Sequence, residues 1–421
     1  MRSADATTPP PPPPRKKVHR LSTTADTISN AAAPQAVAPN VASAIETVDS
    51  HLHPTPSWDI ADHPVPHGRE EIWRFTPIKR FKGLFSDEPR TDSLEWSSDL
   101  PEGVTMEPIT PEQAHALSVE APVDRVSALA AKNAAKAYHL SVAANAEIAD
   151  PVILNGKGTG SAVADHVIIS VGANAEATIV LHYTGSGSYA EKTDIIVGDG
   201  ARLNLVTLQD WADDAVHGGQ RSLLVGRDAR VKTITASMGG DVVRLQENSR
   251  FAGPGGEVEA YGLYFVDAGQ HVQHRLFVDH NEPHTKSNVD YRGALQGKGA
   301  HSVWIGDVLI RKEAEGIDTY ESNKNLVLTD GCQADSVPNL EIETGEIAGA
   351  GHASTTGRFD DLQLFYLRSR GITESEARRL VVHGFFFDII RRIGVPKIED
   401  QLMEQVEREL EQAAITQALE S

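Results

Sequence analysis

Alternating apolar and polar residues fill the middle of the chain, from about residue 141 to residue 350. Short β-branched runs of this kind, interrupted by Gly and Asp, are typical of β-strands. Six such runs stand out: HVIISV (166–171), TDIIVG (193–198), LNLVTL (203–208), RSLLVG (221–226), VKTITA (231–236) and HSVWIGDVLI (301–310). The pattern predicts a mainly β central region.

A strand–turn–strand unit repeats within this region. The three copies are SVGANAEATIVL (170–181), IVGDGARLNLVTL (196–208) and LVGRDARVKTIT (224–235). Their glycines, Gly172, Gly198 and Gly226, recur at intervals of 26 and 28 residues. A unit of two short strands cannot bury both of its faces alone, so it must stack on copies of itself. A β-sandwich with similar hairpin turns is the alternative, but the return of one turn in phase three times favours a β-solenoid.

Helical spacing replaces the strand pattern on both sides of the solenoid. The apolar-rich segment 69–85 and the Ala-rich segment 123–138 predict a mainly helical N-terminal region over residues 67–140. The β-helix core is predicted for 141–357, and a C-terminal helical region for 358–421. Residues 1–66 contain six consecutive prolines and few aromatic residues, which predicts a disordered tail.

The C-terminal region is predicted to contain three helices. The first, 360–370, places Leu362, Phe365 and Tyr366 on one stripe and ends at Gly371. The second begins at a Thr373 cap and runs to about residue 393, and the third spans about 398–418. The second helix carries the apolar residues predicted to anchor this region: Phe385, Phe386, Phe387, Ile389 and Ile390.

Charge, hydrophobicity and cysteine content exclude several classes of function for this chain. The 421-residue chain has a formal net charge of −20, which argues against a nucleic-acid binder because such a protein would carry a basic face. A membrane span needs roughly 18 or more consecutive apolar residues, and the sequence has no such run. Cys332 is the single cysteine, so an intrachain disulfide or a Cys-ligated cluster is excluded for this chain alone. Since no secretory signal is seen, the sequence predicts a cytoplasmic protein.

Several residues are candidates for chemistry, but each has a simpler structural explanation. The Gly-rich segments 156–161 and 185–188 lack the Lys-Ser/Thr of a phosphate loop and suit turns. Adjacent Asp360 and Asp361 suit a helix start, and Cys332 suits a small buried apolar residue. Two groups of histidines are interpreted as solvated or core residues rather than metal ligands: His51, His53, His63 and His67, and His271, His274, His280 and His284.

His352 has a different setting, because Gly349, Ala350, Gly351 and Ala353 leave its ring unobstructed. Imidazole is a common ligand of iron and zinc, and a closely packed interface could approach it. On these grounds alone, a histidine in a turn remains the simpler interpretation.

Four segments resemble a known family. They are GHASTTGRFDDLQLFYLRSRGI (351–372), ESEARRLVVHGFFFDIIRRI (374–393), IWRFTPIKRF (72–81) and YESNKNLVLTDGCQADSVPNLEI (320–342). They closely resemble the SufB/SufD family of iron–sulfur cluster assembly scaffolds, and LFYLRSRGI is most similar to its SufD branch. The resemblance covers roughly residues 69–395.

The resemblance implies a right-handed parallel β-helix between helical terminal regions. It also implies a non-catalytic scaffold subunit that pairs with SufB through the β-helix and binds the ATPase SufC through its C-terminal helices. In isolation, such a subunit would be expected to form a homodimer. A nascent iron–sulfur cluster would be shared with SufB, His352 would be a ligand, and a reduced flavin would be a further cofactor of the complex.

The chain departs from the family at its thiols. Ala350 stands where SufD often has a cysteine, and the stretch 322–325 aligns with an essential SufB cysteine but contains none. These departures disfavour the alternative of a SufB-like main scaffold. A β-helix carbohydrate-active enzyme is a second alternative, which would require a secretion signal and carboxylates aligned on one face.

Overall fold

The computed structural model describes residues 54–359 and 361–420, together with the two-residue strand His19–Arg20. Its strands are β1 (His19–Arg20), β2 (Glu95–Asp99), β3 (Val104–Ile109), β4 (Lys136–Val142), β5 (Val152–Val171), β6 (Glu176–Val197), β7 (Arg202–Trp211), β8 (Val216–Val225), β9 (Arg230–Met238), β10 (Val242–Phe251), β11 (Glu257–Val266), β12 (His271–His280), β13 (Lys286–Leu295), β14 (His301–Ile310), β15 (Asp318–Val327), β16 (Gln333–Ile342) and β17 (Gly349–Arg358). Its α-helices are α1 (Ile78–Phe81), α2 (Pro111–Leu117), α3 (Arg125–Asn133), α4 (Asp361–Ser369), α5 (Glu374–Ile390) and α6 (Pro396–Glu420).

The strands from β4 onward form two parallel sheets of a β-solenoid of about 8 turns, which confirms the predicted β-helix. Sheet 1 contains β4, the C-terminal halves of β5 and β6, and then β8, β10, β12, β14 and β16. Sheet 2 contains the N-terminal halves of β5 and β6, and then β7, β9, β11, β13, β15 and β17. Each strand pairs with the strand one turn earlier, so the backbone hydrogen bonds run along the solenoid axis.

The repeated glycines lie where one turn crosses closely over the turn before it. A Cβ atom on Gly198 would lie 2.7 Å from the Ala173 nitrogen, and one on Gly226 would lie 2.7 Å from the Asp199 nitrogen. These neighbours are backbone atoms, which cannot move aside as a flexible side chain can. The sequence repeat is therefore a steric requirement of the stacking.

Inward-facing side chains fill the lumen of the solenoid. Most are aliphatic and make one continuous apolar core from β4 to β14. Polar groups are also buried in the lumen, and some of them form ion pairs: Arg221 donates to Glu191 through Nε at 2.9 Å, with both side chains almost fully buried. Buried charges need such partners, since an unpaired one carries the full cost of desolvation.

The N-terminal region packs on the outer face of sheet 1 through an aromatic cluster centred on Trp73, Phe81 and Phe85. It is less helical than predicted: β2 and β3 pair with solenoid strands, α3 ends at Asn133, and β4 already begins at Lys136. Residues before the predicted boundary at 67 also adopt regular structure, including a 3₁₀ helix at Ile60–Asp62. His63 is buried, and its Nε2 contacts the Ser57 carbonyl oxygen at 2.9 Å.

The C-terminal helices pack on the outer face of sheet 2. Buried residues of α5 and α6, including Phe386, Ile389 and Leu402, meet outward-facing residues such as Ile234 and Leu263. Thr373 caps α5 by accepting from the Glu376 N–H at 3.3 Å, as predicted. Gly371 and Gly394 follow α4 and α5 with φ of 85° and 70°, a region that favours glycine. The described helices include none with the length and apolar character to cross a membrane.

Candidate functional site at the open end of the solenoid

The last turn of the solenoid, β16 and β17, leaves one edge of each strand unpaired. In the described chain β16 pairs with β14 alone, and β17 with β15 alone. Residues of both strands are exposed or half-buried. By contrast, β14 beneath β16 is almost entirely buried, and half of the residues of β15 beneath β17 are buried. Unpaired edges of this length present rows of free N–H and C=O groups to any further strand.

His352 lies on β17, in strand and not in the turn that the sequence suggested. It is in register with Glu321 of β15, and it shares its strand face with Ala350, which packs against the lumen core. His352 therefore stands over the lumen side of the open end. The side chain is exposed, and no hydrogen bond to another described residue holds its ring.

The small residues around His352 allow this strand to lie close to its neighbour. A Cβ atom on Gly351 would lie 3.3 Å from the ring of Tyr320, which covers the outward face of β17 at this point. Tyr320 itself remains 48% exposed. The stretch of glycine, alanine, serine and threonine thus gives a flat surface that a second backbone can approach.

Glu321 is a buried acid directly beneath His352. It is 1% exposed, and its Oε1 atom has no hydrogen-bond partner among the described residues. Burial, with a smaller contribution from Asp307, raises the pKa of its carboxyl group to about 8. The carboxyl group crosses the lumen toward Gly306, where an added Cβ atom would lie 2.3 Å from Glu321 Oε2.

A hydrogen-bonded polar layer continues beneath the open end. The Tyr264 hydroxyl donates to Asn325 Oδ1 at 2.7 Å and accepts from Asn323 Nδ2 at 2.9 Å. The Ser336 hydroxyl of β16 donates to Asn323 Oδ1 and so links the two sheets of the last turns. The aligned stretch 322–325 therefore places two amides in the lumen and no thiol.

Cys332 lies in the turn before β16 and is half-buried. Its Sγ donates to the Gly297 carbonyl oxygen at 3.3 Å, and burial is the main cause that raises the pKa of the thiol. A thiol held protonated in this way is a weak metal ligand. The geometry agrees with its interpretation as a small packing residue.

The other histidine candidates are dispersed. His274 and His280 face the lumen, and burial lowers the pKa of each to about 3. His271 faces outward from the same strand, and His284 lies in the following turn with φ of 60°. His67 is exposed, and its Nδ1 atom forms a hydrogen bond with the Glu70 carboxylate. His51, His53 and Asp360 lie outside the described residues. The described chain has no group of three or more His, Cys, Asp or Glu residues arranged to hold a metal ion.

The apolar residues predicted for partner contact divide between two environments. Phe386, Ile389 and Ile390 are buried against sheet 2, Phe385 is half-buried, and Phe387 is 52% exposed. Five large apolar side chains on α4 and α5 are exposed, and we call this set the C-terminal apolar patch: Leu362, Phe365, Tyr366, Leu380 and Phe387. The predicted stripe on α4 is thus largely solvent-exposed, with Leu362 at 77% and Phe365 at 72%.

Sequence reasoning missed Glu321. An isolated glutamate in a run of polar residues, YESNKN, looks like an exposed loop residue, and the hydrophobic pattern gives no sign of its burial. Its alternation with Thr319 and Asn323 on one strand face could have marked it, but only once the inward face of β15 was known.

The fold and the site define a class: a β-solenoid with helical flanks whose candidate site lies at an open end that another chain could cover. The chain belongs to the SufBD family, since residues 152–385, more than half of its length, match the SufBD core domain of SUF system FeS cluster assembly.

Curated relatives agree with this assignment. An iron–sulfur cluster assembly SufBD family protein of Mycobacterium tuberculosis is 48% identical over 364 residues, covering 84% of this chain and 92% of the relative. The iron–sulfur cluster assembly protein SufD of Escherichia coli is 25% identical over 240 residues, 56% of each chain. SufD of Bacillus subtilis is 24% identical over 282 residues, covering 64% of this chain and 63% of the relative.

Proposed function

We propose that this chain is the SufD-like scaffold subunit of an iron–sulfur cluster assembly complex. It pairs with a SufB-like subunit through its terminal solenoid turn and docks a SufC-like ATPase on its C-terminal helices. His352 supplies one ligand to a nascent cluster that the two scaffold subunits share. The similarity to two SufD proteins supports the choice of this branch of the family.

The observation that carries the proposal is the position of His352 at the unpaired end. The open edges of β16 and β17 suit strand addition, in which main-chain hydrogen bonds provide affinity and side chains provide specificity. A partner solenoid seated there would cover the exposed imidazole and exclude water from it. Iron bound at such a junction would receive ligands from both chains.

The ligand inventory explains why the partner is needed. Iron–sulfur clusters are held mostly by four cysteine thiolates. This chain offers one cysteine, and its thiol is held on a backbone carbonyl away from His352. We therefore assign sulfur delivery and most cluster ligands to the partner, with this chain contributing an imidazole.

The C-terminal apolar patch supports the second contact. Scattered single apolar residues are normal on a surface, whereas several large ones on two helices in contact suit a protein interaction site. The patch lies on the helices α4 and α5, while the buried side of α5 anchors them to sheet 2. An ATPase docked there would be held rigidly on the solenoid, so that its movement could be transmitted to the scaffold.

The carbohydrate-active alternative receives no support from the geometry. That function would need acids aligned on an accessible outer face of the solenoid. The buried acids Asp165, Glu191 and Glu321 face the lumen, out of reach of a polysaccharide. The outward-facing acids Asp279 and Asp307 are also buried, beside Arg311 and Arg275.

The proposal is tested by placing charge at the open end. Ser354→Lys with Thr356→Lys puts two charges on the lumen-side face of β17, where both residues are exposed in the free chain. Inward-pointing charges on an edge strand block pairing, because the new strand would bury them. Co-expression with SufB-like and SufC-like proteins, followed by size exclusion, should show loss of the SufB-like subunit and retention of the ATPase.

Thr355→Lys is the matched control, since Thr355 is exposed on the opposite face of the same strand. We expect it to leave the complex intact. If the double variant still copurifies with the SufB-like subunit, the terminal turn is not the pairing surface and the proposed function loses its main support.

A further inference from the structure

We propose that Glu321 is a positioning residue for His352: its carboxyl group accepts a hydrogen bond from one ring nitrogen of His352 and so directs the other nitrogen toward the partner subunit. This inference rests on the proposed function, in which His352 is a cluster ligand. It adds a residue of this chain that orients the ligand without touching the cluster.

The first support is the shared register of the two residues. Glu321 and His352 are direct neighbours on the parallel strands β15 and β17. Adjacent strands lie about 4.8 Å apart, and residues in register point to the same face. Both side chains therefore occupy neighbouring places on the lumen side, within reach of a hydrogen bond after a change of side-chain torsions.

The second support is that Glu321 is buried with an unused acceptor. Its Oε1 atom has no partner among the described residues, although the side chain is 1% exposed. Buried polar atoms are nearly always satisfied, and an exception in a native fold calls for an explanation. A Cβ atom added to Gly306 would lie 2.3 Å from Glu321 Oε2, so the carboxyl group lies against the facing sheet, and the open end above it holds the imidazole.

The third support is that no residue in the described part of the chain holds the His352 ring through a hydrogen bond. Metal-bound histidines almost always donate their other ring N–H to a carboxylate, a carbonyl or water. That contact fixes which nitrogen is free to bind metal. The neighbours of His352 on β17 are glycine, alanine and serine, and Glu321 is the acidic residue in register with it.

The absence of a side chain at Gly306 leaves room for the Glu321 carboxyl group. A Cβ atom at position 306 would lie 2.3 Å from Glu321 Oε2 and 2.4 Å from the Trp304 ring. Any residue larger than glycine would therefore collide with both side chains. The facing sheet thus leaves room for an acid inside the lumen. A scaffold role alone would be served as well by an aliphatic side chain at position 321.

The test compares Glu321→Met and Glu321→Gln in the complex assembled with SufB-like and SufC-like subunits. Methionine removes the acceptor but keeps the volume, and loss of a buried unpaired acid should leave thermal unfolding unchanged or raise its midpoint. Glutamine keeps an acceptor oxygen. Iron and acid-labile sulfide per complex should fall about tenfold in Glu321→Met, since loss of such partners usually costs 10–100-fold, and be largely retained in Glu321→Gln.

A spectroscopic readout separates positioning from structure. Pulsed electron paramagnetic resonance of the reduced cluster should show coupling to a histidine nitrogen that disappears in His352→Ala. That coupling should change in Glu321→Met. Ser302→Ala is the matched control, because Ser302 also faces the lumen, in register with Ala334 rather than with His352; it should alter neither the coupling nor the iron content.

The two proposals fail in different ways. If the native complex shows no histidine coupling that depends on His352, the ligand assignment is wrong and the positioning role falls with it. If the coupling is present but identical in Glu321→Met, with iron content unchanged, His352 remains a ligand and the role of Glu321 is overturned. Equal loss of iron in Glu321→Met and Glu321→Gln would also overturn it.

Discussion

Arg244 Nη1 donates to Asp124 Oδ2 over 2.6 Å, and both side chains are 1% exposed. This ion pair joins the N-terminal region to strand β10 of sheet 1. Arg244 also donates to the Ile72 carbonyl oxygen at 3.1 Å and stacks on the Trp73 ring at 3.9 Å. Asp124 in turn caps α3 by accepting from the Ser127 N–H at 2.9 Å. One buried contact therefore holds a helix, an aromatic cluster and the solenoid together.

We expect Asp124→Asn to lower the free energy of unfolding by about 3–5 kcal/mol, because it leaves a buried guanidinium without its counter-charge. Thermal unfolding at pH 7 measures the loss.

Burial raises the pKa of Asp124, but Arg244 and the Ser127 contacts outweigh it and leave the pKa below its usual range. The pair therefore stabilises the fold above the unfolded-state pKa of about 3.9, and the effect is lost as pH falls through the lower folded-state value.

The control for this pair is Lys132→Ala, which breaks the exposed ion pair with Asp87. Exposed pairs contribute about 0–1 kcal/mol, so this variant should unfold close to the native temperature. An Asp124→Asn variant as stable as Lys132→Ala would show that the buried pair does not hold the N-terminal region in place.

Gly226→Ala should destabilise the solenoid by about 1–3 kcal/mol. The new methyl group would lie 2.7 Å from the Asp199 nitrogen, and the stacked backbone must shift to admit it. Gly345→Ala provides the comparison, since an added Cβ atom there meets nothing within 4 Å. Thermal unfolding of both variants checks the prediction; equal midpoints would mean that the repeat does not arise from steric crowding.

The repeat shows how much of the fold could be predicted from sequence. Each turn must stack closely on the turn before it, so glycine recurs at a nearly fixed interval, at Gly172, Gly198 and Gly226. This steric requirement can be recognised in the sequence alone. The boundaries of the N-terminal region could not be predicted as well. The sequence around Tyr138 predicts an Ala-rich helix, but Tyr138 lies in strand β4. Pairing with β5 outweighs the local helix propensity.

The sequence points to some residues of the candidate site but not to their conformation or burial. The small neighbours and the family resemblance single out His352 as a candidate, but its strand conformation depends on pairing with β15, which local sequence does not encode. Burial of Glu321 depends on which face of β15 points inward. Likewise, the pattern of α4 gave an apolar stripe without showing that Phe365 stays exposed.

The C-terminal helices should become less stable as pH rises toward neutrality. Burial, then the nearby carboxylates of Asp267, Asp213 and Asp210, raises the pKa of Glu409 on α6 to about 7. The folded state therefore keeps a proton that the unfolded chain, with a pKa near 4.5, gives up. Stability is lost progressively as pH rises from about 4.5 through 7.

Glu409→Gln should remove this dependence and raise stability at pH 8 by on the order of 2 kcal/mol, while leaving it little changed at pH 4. Thermal unfolding across this range provides the measurement. Glu404→Gln, at an exposed position of the same helix, is the matched control. A pH profile of Glu409→Gln parallel to that of the native chain would contradict the raised pKa.

Docking of the SufC-like ATPase should depend on the C-terminal apolar patch. Phe365→Glu and Phe387→Glu place a charge in the patch without opening the core, because the two rings are 72% and 52% exposed. Each variant should remain within about 0.5 kcal/mol of native stability and lose the ATPase in a pull-down while keeping the SufB-like subunit. Tyr320→Glu alters an exposed aromatic residue on the solenoid and should retain the ATPase. Retention by all three variants would place the docking site elsewhere.

His352→Ala should impair cluster building but not folding or assembly. The ring is exposed on the last strand and makes no hydrogen bond to a described residue, so its loss should change stability by no more than about 0.5 kcal/mol. An open coordination position, by contrast, exposes iron to water and to loss. The measurements are iron and sulfide content of the complex, with size exclusion to verify assembly.

Two further variants distinguish loss of a metal ligand from a change of surface shape. Ser354→Ala changes the next lumen-side residue of β17, which is also exposed, and should leave cluster content at the native level. His352→Cys should restore part of the cluster content, because a thiolate also binds iron. Partial rescue would identify the missing function as metal ligation rather than surface shape. Normal cluster content in an intact His352→Ala complex would instead show that the imidazole is an ordinary edge-strand side chain, and the ligand assignment would be wrong.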